Sequence, residues 1–516
     1  MLTTGSVVHD ENSSLEKWTV LGFLGKGTCC EVYQVQSETQ PHVKAALKVY
    51  KEGLKYERAH DGEAMLLDLV SRANGPCKYL VKTIMDFDFG EKPCLVQELL
   101  DRDLRQLTSK VQNHCLSMFL IQKLTRDIMR GLHHLHKSGF VHGDIKPTNL
   151  MWSPEEYCMK IIDFSLSYHV QDKSIGLLQS QGYRAPETEY WNACCTRQSE
   201  AIKLAQNSSH LGTDDQSVRP DVIDPGGGSS QTLNAFQPIQ NLLSTDLNVL
   251  HTSEFDFGMT GHIMEAVKCQ AVGLGNVSDS SPAAGGSELS RTLLLDSDLR
   301  CDRADECPMP SRAADVWSVG CIILEMFYGT KMFTANKLAT IRLNQNKGVC
   351  LSDCLIQAVD DIMKDCSRAH NTRDKMLLKQ FIIRCLSVSI SQRWSAEEAL
   401  QHEFLNTNYV PSFEDLCVLH SPIIRLINVI EMEGLANSEK YQDMEVELRE
   451  ECQKYGNIVT CVIPRSGDGA GKAYLEYGSW QQAELAYSKL CHRVYNHHNV
   501  IVTYFSVDDF RSQTYF

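Results

Sequence analysis

His142-Gly143-Asp144-Ile145-Lys146-Pro147-Thr148-Asn149-Leu150, followed nineteen residues after Asp144 by Asp163-Phe164-Ser165, is the stretch on which the reading of the whole chain turns. It gathers two carboxylates, an amide and an ammonium into one loop and the short hairpin behind it. Ile161-Ile162 supplies an apolar strand leading into Asp163. Two other strings, Phe87-Asp88-Phe89-Gly90 and Phe255-Asp256-Phe257-Gly258, also place an aspartate between phenylalanines. Position sets both aside, because neither follows the Asp144 loop by one hairpin. Taken singly, each of these polar residues is an ordinary surface group, and their order is what carries chemistry.

That order resembles the protein-kinase superfamily. Phosphoryl transfer demands mainly positioning and charge neutralisation, by a carboxylate that orients a hydroxyl and oxygen ligands for a metal bridging phosphates. The resemblance implies ATP and Mg2+ as cofactors, Asp144 as the orienting carboxylate, Lys146 as the positive charge near the transferred phosphate, and Asn149 and Asp163 as magnesium ligands. Toward the C-terminus, Tyr183-Arg184-Ala185-Pro186-Glu187 closes a short activation segment. Asp315-Val316-Trp317-Ser318-Val319-Gly320 looks like the helix beneath the catalytic loop, and Arg393 is placed to pair with Glu187. Toward the N-terminus, Gly25-Lys26-Gly27-Thr28-Cys29-Cys30-Glu31-Val32 lies between two strand-like runs, so Gly25, Gly27 and Val32 are candidates for covering nucleotide phosphates, although Cys30 stands where a third glycine is usual.

Sixteen residues beyond Val32, Lys48 sits on the apolar strand Ala46-Leu47-Lys48, where an ammonium is costly unless it meets anions. Its expected carboxylate partner is Glu63, heading the run Ala64-Met65-Leu66-Leu67, rather than Glu57. Gln97-Glu98-Leu99 is the expected adenine-contacting hinge, with Glu98 and Leu99 in the nucleotide site. Gly143 stands where many kinases carry an arginine that reads an activation-loop phosphate, so activity without phosphorylation is expected. The Tyr-Arg-Ala-Pro-Glu wording is similar to that of proline-directed kinases. Ser165 in place of glycine keeps a pseudokinase reading open.

The chain's 516 residues, 43% hydrophobic and 22% charged, have room for roughly two to four domains. A net charge of -15 argues against a surface built to displace counterions from nucleic acid. The 20 cysteines show no zinc-like spacing, and reduced thiols without disulfides or structural metal are expected. No signal core and no long apolar run is visible, so no membrane is expected. The expected architecture is α+β. A disordered N-terminus, residues 1–17, precedes a bilobal kinase fold over 18–405, interrupted at 191–310 by a long, disordered, low-complexity insertion rich in Ser, Asn, Asp and Gly. A linker at 406–420, with Pro411 inside it and Pro422 just beyond its end, leads to an RRM-like β-α-β-β-α-β sandwich over 421–506.

In that last domain Leu426 to Ile430 and Gly471 to Tyr477 resemble the two central strands of an RNA-recognition motif, whose exposed aromatics stack bases. Arg425 and Lys472 occupy stacking positions, which leaves mainly Tyr474 and makes RNA a weak partner. Glu439, Asp443, Glu447 and Glu451 recur every four residues as an acidic helix stripe, while Met444, Leu448, Cys452 and Tyr455 form the core face. With Arg493-Val494-Tyr495 this set resembles the U2-auxiliary-factor homology motif, in which an Arg-x-Phe loop receives a ligand tryptophan and an acidic helix meets ligand arginines and lysines. Asp443, Glu447, Glu451, Arg493 and Tyr495 are therefore partner-binding candidates, Tyr495 departing from phenylalanine.

A kinase joined to this motif, with Glu450-Glu451-Cys452-Gln453-Lys454-Tyr455-Gly456 in its helix, is similar to the homology-motif Ser/Thr kinases that interact with stathmin. That resemblance implies a serine/threonine kinase of the nucleus, with some cytoplasmic presence, acting on a branch-point-binding splicing factor and on stathmin. Two alternatives remain open here, a pseudokinase scaffold binding through the same domain and an RNA-tethered kinase.

Overall fold

The computed structural model describes residues 2–10, 16–172, 175–210, 309–333, 341, 344, 349–365, 371–495 and 497–516. The chain divides into two units. The first, Met1–Gln171, Leu177–Ala193 and Ala283–Phe516, holds both folded regions; the second, Asp172–Gly176 and Cys194–Pro282, includes the far end of one helix.

Strands β1 (Val7–His9), β2 (Lys17–Lys26), β3 (Cys30–Ser37), β4 (Lys44–Tyr50), β5 (Thr83–Phe89) and β6 (Lys92–Glu98) form an antiparallel sheet in the order β1-β2-β3-β4-β6-β5. Alternation builds it: Tyr33 and Val35 of β3 and Ala45 and Leu47 of β4 face one core with Trp18 and Val96. The sheet corrects the expectation of disorder over 1–17, since Val7, Val8 and His9 pair with Thr19, Trp18 and Lys17. The string Phe87 to Gly90 belongs to β5 and its turn into β6, away from the Asp144 loop, whereas 255–258 lies outside the described residues.

Between β4 and β5 runs the helix Leu54–Asn74. It begins nine residues before Glu63, which therefore lies mid-helix rather than at its head; Gly53, not a polar cap, precedes it, so the usual start signal is absent. The second lobe is helical. Met118–Lys137 starts at Ser117, whose hydroxyl accepts from the Leu120 amide, and buries Leu120, Ile121, Leu124, Ile128 and Leu132. Arg312–Tyr328, capped by Ser311, is buried on almost every face, with Trp317 and Ile322 fully enclosed. Gly320 lets it approach Cys385 and Leu386, because a Cβ there would lie only 2.8 Å from Leu386. The helix Pro186–His210 continues into the stretch expected to begin the insertion at 191, and 211–308 lies outside the described residues.

The C-terminal region has the expected order. Strands Ile458–Val462, Lys472–Tyr477, Ile423–Ile427 and Ile501–Tyr504 lie side by side in that sequence, all antiparallel, with helices Ser438–Cys452 and Trp480–Leu490 on one face. Met444, Leu448, Cys452 and Tyr455 join the core cluster, as the helix period requires. Two boundaries move. Residues 406–420 are no bare linker: Ser412 caps the helix Phe413–Val418, Leu416 is buried, and Leu419 enters the core of the helical lobe. At the other end the domain runs past 506, where Phe510, Tyr515 and Phe516 join Phe505 in covering the sheet around Tyr474. Tyr474 is fully buried, edge-on to Phe505 at 4.7 Å, and its hydroxyl donates to the Phe516 carbonyl at 2.9 Å. The expectation that it stays exposed for stacking is thereby corrected; three aromatic residues near the chain's end offered it more apolar contact than water does.

Candidate active site

The loop 142–149 owes its shape to Asp315 at the head of the buried helix. Asp315 accepts from the His142 and Gly143 amides at 2.8 and 3.0 Å and pairs with His136 Nε2 at 2.9 Å. Gly143 has φ of +77°, and a Cβ there would lie 2.7 Å from the Leu166 carbonyl oxygen, so the loop closes only on glycine. On this frame the Asp144 carboxylate meets Lys146 Nζ at 2.5 Å and the Ser180 hydroxyl at 2.8 Å. Lys146 reaches Ser180 as well, at 3.2 Å. The Asn149 amide nitrogen donates to the Asp144 carbonyl at 2.9 Å, which leaves the Asn149 amide oxygen to face elsewhere as an acceptor.

Across the cleft, Lys48 Nζ lies 2.5 Å from Glu63 Oε2 and 3.9 Å from Asp163 Oδ1. Glu63, not Glu57, is thus its partner. Burial alone would pull the Lys48 ammonium down, but the carboxylates of Glu63 and Asp163 outweigh it and hold its pKa above the ordinary lysine value. Asp163 shows the converse: burial works against ionisation, yet Lys48 and a hydrogen bond from Ser165 overcome it and keep the pKa below the usual carboxylate range. Asp163 itself occupies φ of +64°, a sparsely populated conformation that clusters at functional sites, whereas Ser165 is not in the left-handed region. Serine at 165 therefore costs no backbone strain and adds a donor to Asp163.

Gly25 pairs with Val32 at the end of the β2–β3 hairpin, and the Gly27 amide donates to the Cys30 carbonyl at 2.8 Å, closing the turn. Burial pushes the Cys30 thiol up to about 12, so it is neutral, and it packs with Tyr50 and Leu95. Glu98 ends β6; its carboxylate takes the Lys82 amide at 2.8 Å and Lys160 Nζ at 2.6 Å, so any adenine contact from Glu98 is by main chain, as for its neighbour Leu99. Beyond the loop, the Arg393 guanidinium grips the buried Glu187 in a fork at 2.5 and 3.0 Å.

Sequence reading missed Ser180 and Gln179. The Gln179 amide donates to the Gly143 carbonyl at 2.7 Å, and its side chain donates to Ala314 O and Ser318 Oγ and accepts from the Ala185 amide. Its φ of +53° turns its carbonyl to Arg184 Nε, 2.8 Å away. The spacing of both residues before Tyr183 was the available signal.

In the C-terminal domain the stripe and the 493–495 hairpin come together. Arg493 donates to Glu451 at 2.6 Å and to the Tyr455 hydroxyl at 2.9 Å. Tyr495 is half-buried against the core, and burial together with the Glu447 and Glu431 carboxylates raises its phenol pKa. Asp443 lies exposed on the same helix.

A family model described as the protein kinase domain matches residues 18–196 and 304–405. Over nearly the whole length, the chain is 26% identical to the serine/threonine-protein kinase Kist of Homo sapiens, across 508 residues that span 96% of this chain and 93% of that protein. This match fits the homology-motif kinases that the sequence resembles. The dual specificity protein kinase YAK1 of Saccharomyces cerevisiae is 33% identical over 174 residues, 33% of this chain and 21% of that one. A crystal structure of a kinase domain aligns with 15% identity and a TM-score of 0.43, covering 78% of this chain and 98% of that chain.

Proposed function

We propose that this chain, which belongs to the protein kinase family and is a serine/threonine protein kinase, transfers the ATP γ-phosphate to Ser or Thr followed by Pro, on proteins recruited by its C-terminal domain. The observation that carries the reading is the Asp144 carboxylate shared between Lys146 and Ser180, facing a Lys48–Glu63–Asp163 set.

Protein kinases use ATP with Mg2+, which supplies the phosphoryl group and neutralises charge on it. The donor set fits: Asp163 is held ionised, and the Asn149 amide oxygen is turned from Asp144, so these two oxygens suit a hard cation. Lys48, kept charged by two carboxylates, suits the α and β phosphates under the Gly25–Gly27 turn and Val32. Asp144 orients the acceptor hydroxyl and takes up its proton, while Lys146 offsets charge on the moving group. Glu98 and Leu99 give adenine its backbone contacts.

Proline preference rests on Gln179. Its carbonyl is satisfied by Arg184, so it offers no acceptor to the amide of the residue after the phosphorylated hydroxyl. An ordinary residue leaves that N–H unpaired there; proline has none to lose. Asp443, Glu447 and Glu451 beside Tyr495 support recruitment of basic, tryptophan-bearing segments, and the resemblance adds a splicing factor and stathmin as substrates, with work in the nucleus and some in the cytoplasm. The RNA-tethered reading loses support, since Tyr474 is enclosed.

The test is radiolabelled transfer by the full chain onto Ser-Pro and Ser-Ala peptides, with and without magnesium. Magnesium-dependent transfer favouring Ser-Pro is expected, and Asp144→Asn removes it. Equal rates on both peptides would refute proline direction; transfer retained in Asp144→Asn would refute the site. Imaging of the tagged chain in the cytoplasm alone would count against nuclear work.

A further inference from the structure

We propose that Tyr50 and Gln97 are positioning residues for phosphoryl transfer, two sheet-borne donors that hold Glu63 against Lys48 and make the active arrangement independent of an activation-loop phosphate. The proposal rests on the assignment of Lys48 and Glu63 to the phosphate site above.

Glu63 is fully buried and accepts from three side chains. Lys48 Nζ and the Tyr50 hydroxyl share Oε2, at 2.5 and 2.8 Å, and Gln97 Nε2 donates to Oε1 at 3.1 Å. Lys48 and Tyr50 sit two apart on β4, Gln97 on the neighbouring β6, and Glu63 arrives from the helix Leu54–Asn74. Tyr50 and Gln97 are themselves 1% and 5% exposed, so neither has water to turn to. Rotating the helix to carry Glu63 away strands a buried hydroxyl and a buried amide as well as an ammonium, and groups orphaned in a low-dielectric interior are costly. The inward helix is thus specified by the sheet. Burial and the Glu63 carboxylate raise the Tyr50 phenol pKa, so it stays a donor throughout the physiological range.

This placement complements Gly143. The arginine that would couple an activation-loop phosphate to the catalytic loop is absent, and the two parts are tied instead by main chain, Gln179 N to Gly143 O. Tyr50 and Gln97 supply the matching tie on the helix side.

Tyr50→Phe deletes one oxygen and Gln97→Leu one amide, and steady-state kinetics on the full chain separates the ATP and peptide constants. Each variant is expected to lower kcat/KM for ATP by about three- to tenfold, with KM for ATP raised, kcat lowered and KM for peptide within about twofold of wild type. The split distinguishes positioning from general loosening. ATP constants within about twofold of wild type in both variants would overturn the proposal, as would loss of ATP and peptide constants together with a lower Tm. Should Tyr50→Phe fail to fold, Gln97→Leu decides. Lys48→Met is the control on the underlying site: activity retained there sinks the site, whereas a dead Lys48→Met beside wild-type-like Tyr50→Phe and Gln97→Leu sinks this inference alone.

Discussion

A Cβ at residue 143 meets a carbonyl oxygen at 2.7 Å and a backbone already in the left-handed region, so any side chain is strained whatever its polarity. Gly143→Arg is expected to cost about 1 to 3 kcal/mol and lower Tm without creating phosphate control. Stripping phosphate from the wild-type protein should leave most of its activity; a large loss restored by rephosphorylation would contradict this. Asp144→Asn and Asp163→Ala should each abolish transfer in proteins that remain folded. His60 gives a pH signature. Its ring lies 3.1 Å from Asp61 on its own helix, 2.9 Å from Asp86 on β5, and edge-on to Tyr50 of β4. Burial opposes its charge, but the two aspartates win and raise its pKa. A raised folded value means that its contribution is full below the unfolded pKa of about 6.5 and is lost as pH climbs through the folded value. Thermal melts from pH 6 to 8 should therefore decline more in wild type than in His60→Gln, and parallel curves would exclude the effect. The loop from His142 to Asn149 was legible because its chemistry is written in adjacent residues. Tyr50 and Gln97 were not, since they reach Glu63 across 13 and 34 positions and only the sheet register brings them there.

Element ends were legible where a local signal existed. Ser117 and Ser311 mark their helices by capping, but the helix carrying Glu63 starts after a glycine with no side-chain cap, and its start was read too late. The closing helix Val507–Arg511 escaped notice because its value is tertiary: Phe510 packs edge-on to Tyr515 at 6.0 Å, and Arg511 pairs with Glu476. Phe510→Ala is expected to destabilise the C-terminal domain by about 3 kcal/mol. Chemical denaturation reads this, and a change below about 1 kcal/mol would mean that the helix is incidental. The Arg393–Glu187 fork is a second element-level tie, fastening the helix after the activation segment to the second lobe. Removing either partner alone leaves a buried charge, so Arg393→Met should cost about 3 to 5 kcal/mol, and Glu187→Gln/Arg393→Met together should cost less than the two changes summed.

The two folded regions belong to one compact unit, and their junction is built from specific bonds. Trp152 Nε1 donates to the His420 carbonyl at 2.8 Å, Arg102 meets His420 Nε2 at 2.8 Å, the His420 ring lies 4.7 Å from Tyr504, and Lys78 pairs with Asp508 at 3.4 Å. The motifs announced two folded regions but not this contact, because Trp152, Arg102 and Lys78 meet partners 268, 318 and 430 positions away. Recognition is testable on the intact chain. Short basic peptides with one tryptophan should bind, and Tyr495→Ala should remove about 2 to 4 kcal/mol at every salt concentration. Glu447→Lys should weaken binding chiefly at low salt, and it is cleaner than a change at Glu451, which already holds Arg493. Calorimetry in which oligouridine binds more tightly than any such peptide, with Tyr495→Ala unaffected, would reject the assignment.

The Trp152–His420 bond bears on the proposed recruitment of substrates. A recruiting domain on a loose string presents its cargo as a cloud, and nearly any target serine drifts into reach. On the recruiting role proposed above, the same domain packed against the kinase would act as a fixed anchorage, with only the cargo's own chain left to span the gap to Asp144. Below the spanning length a tethered serine is never reached; at the matching length its local concentration peaks, and beyond it the advantage fades as roughly the −3/2 power of length. The number of residues between a ligand motif and its phosphosite then becomes a selection rule in its own right, as informative as the residues around the serine.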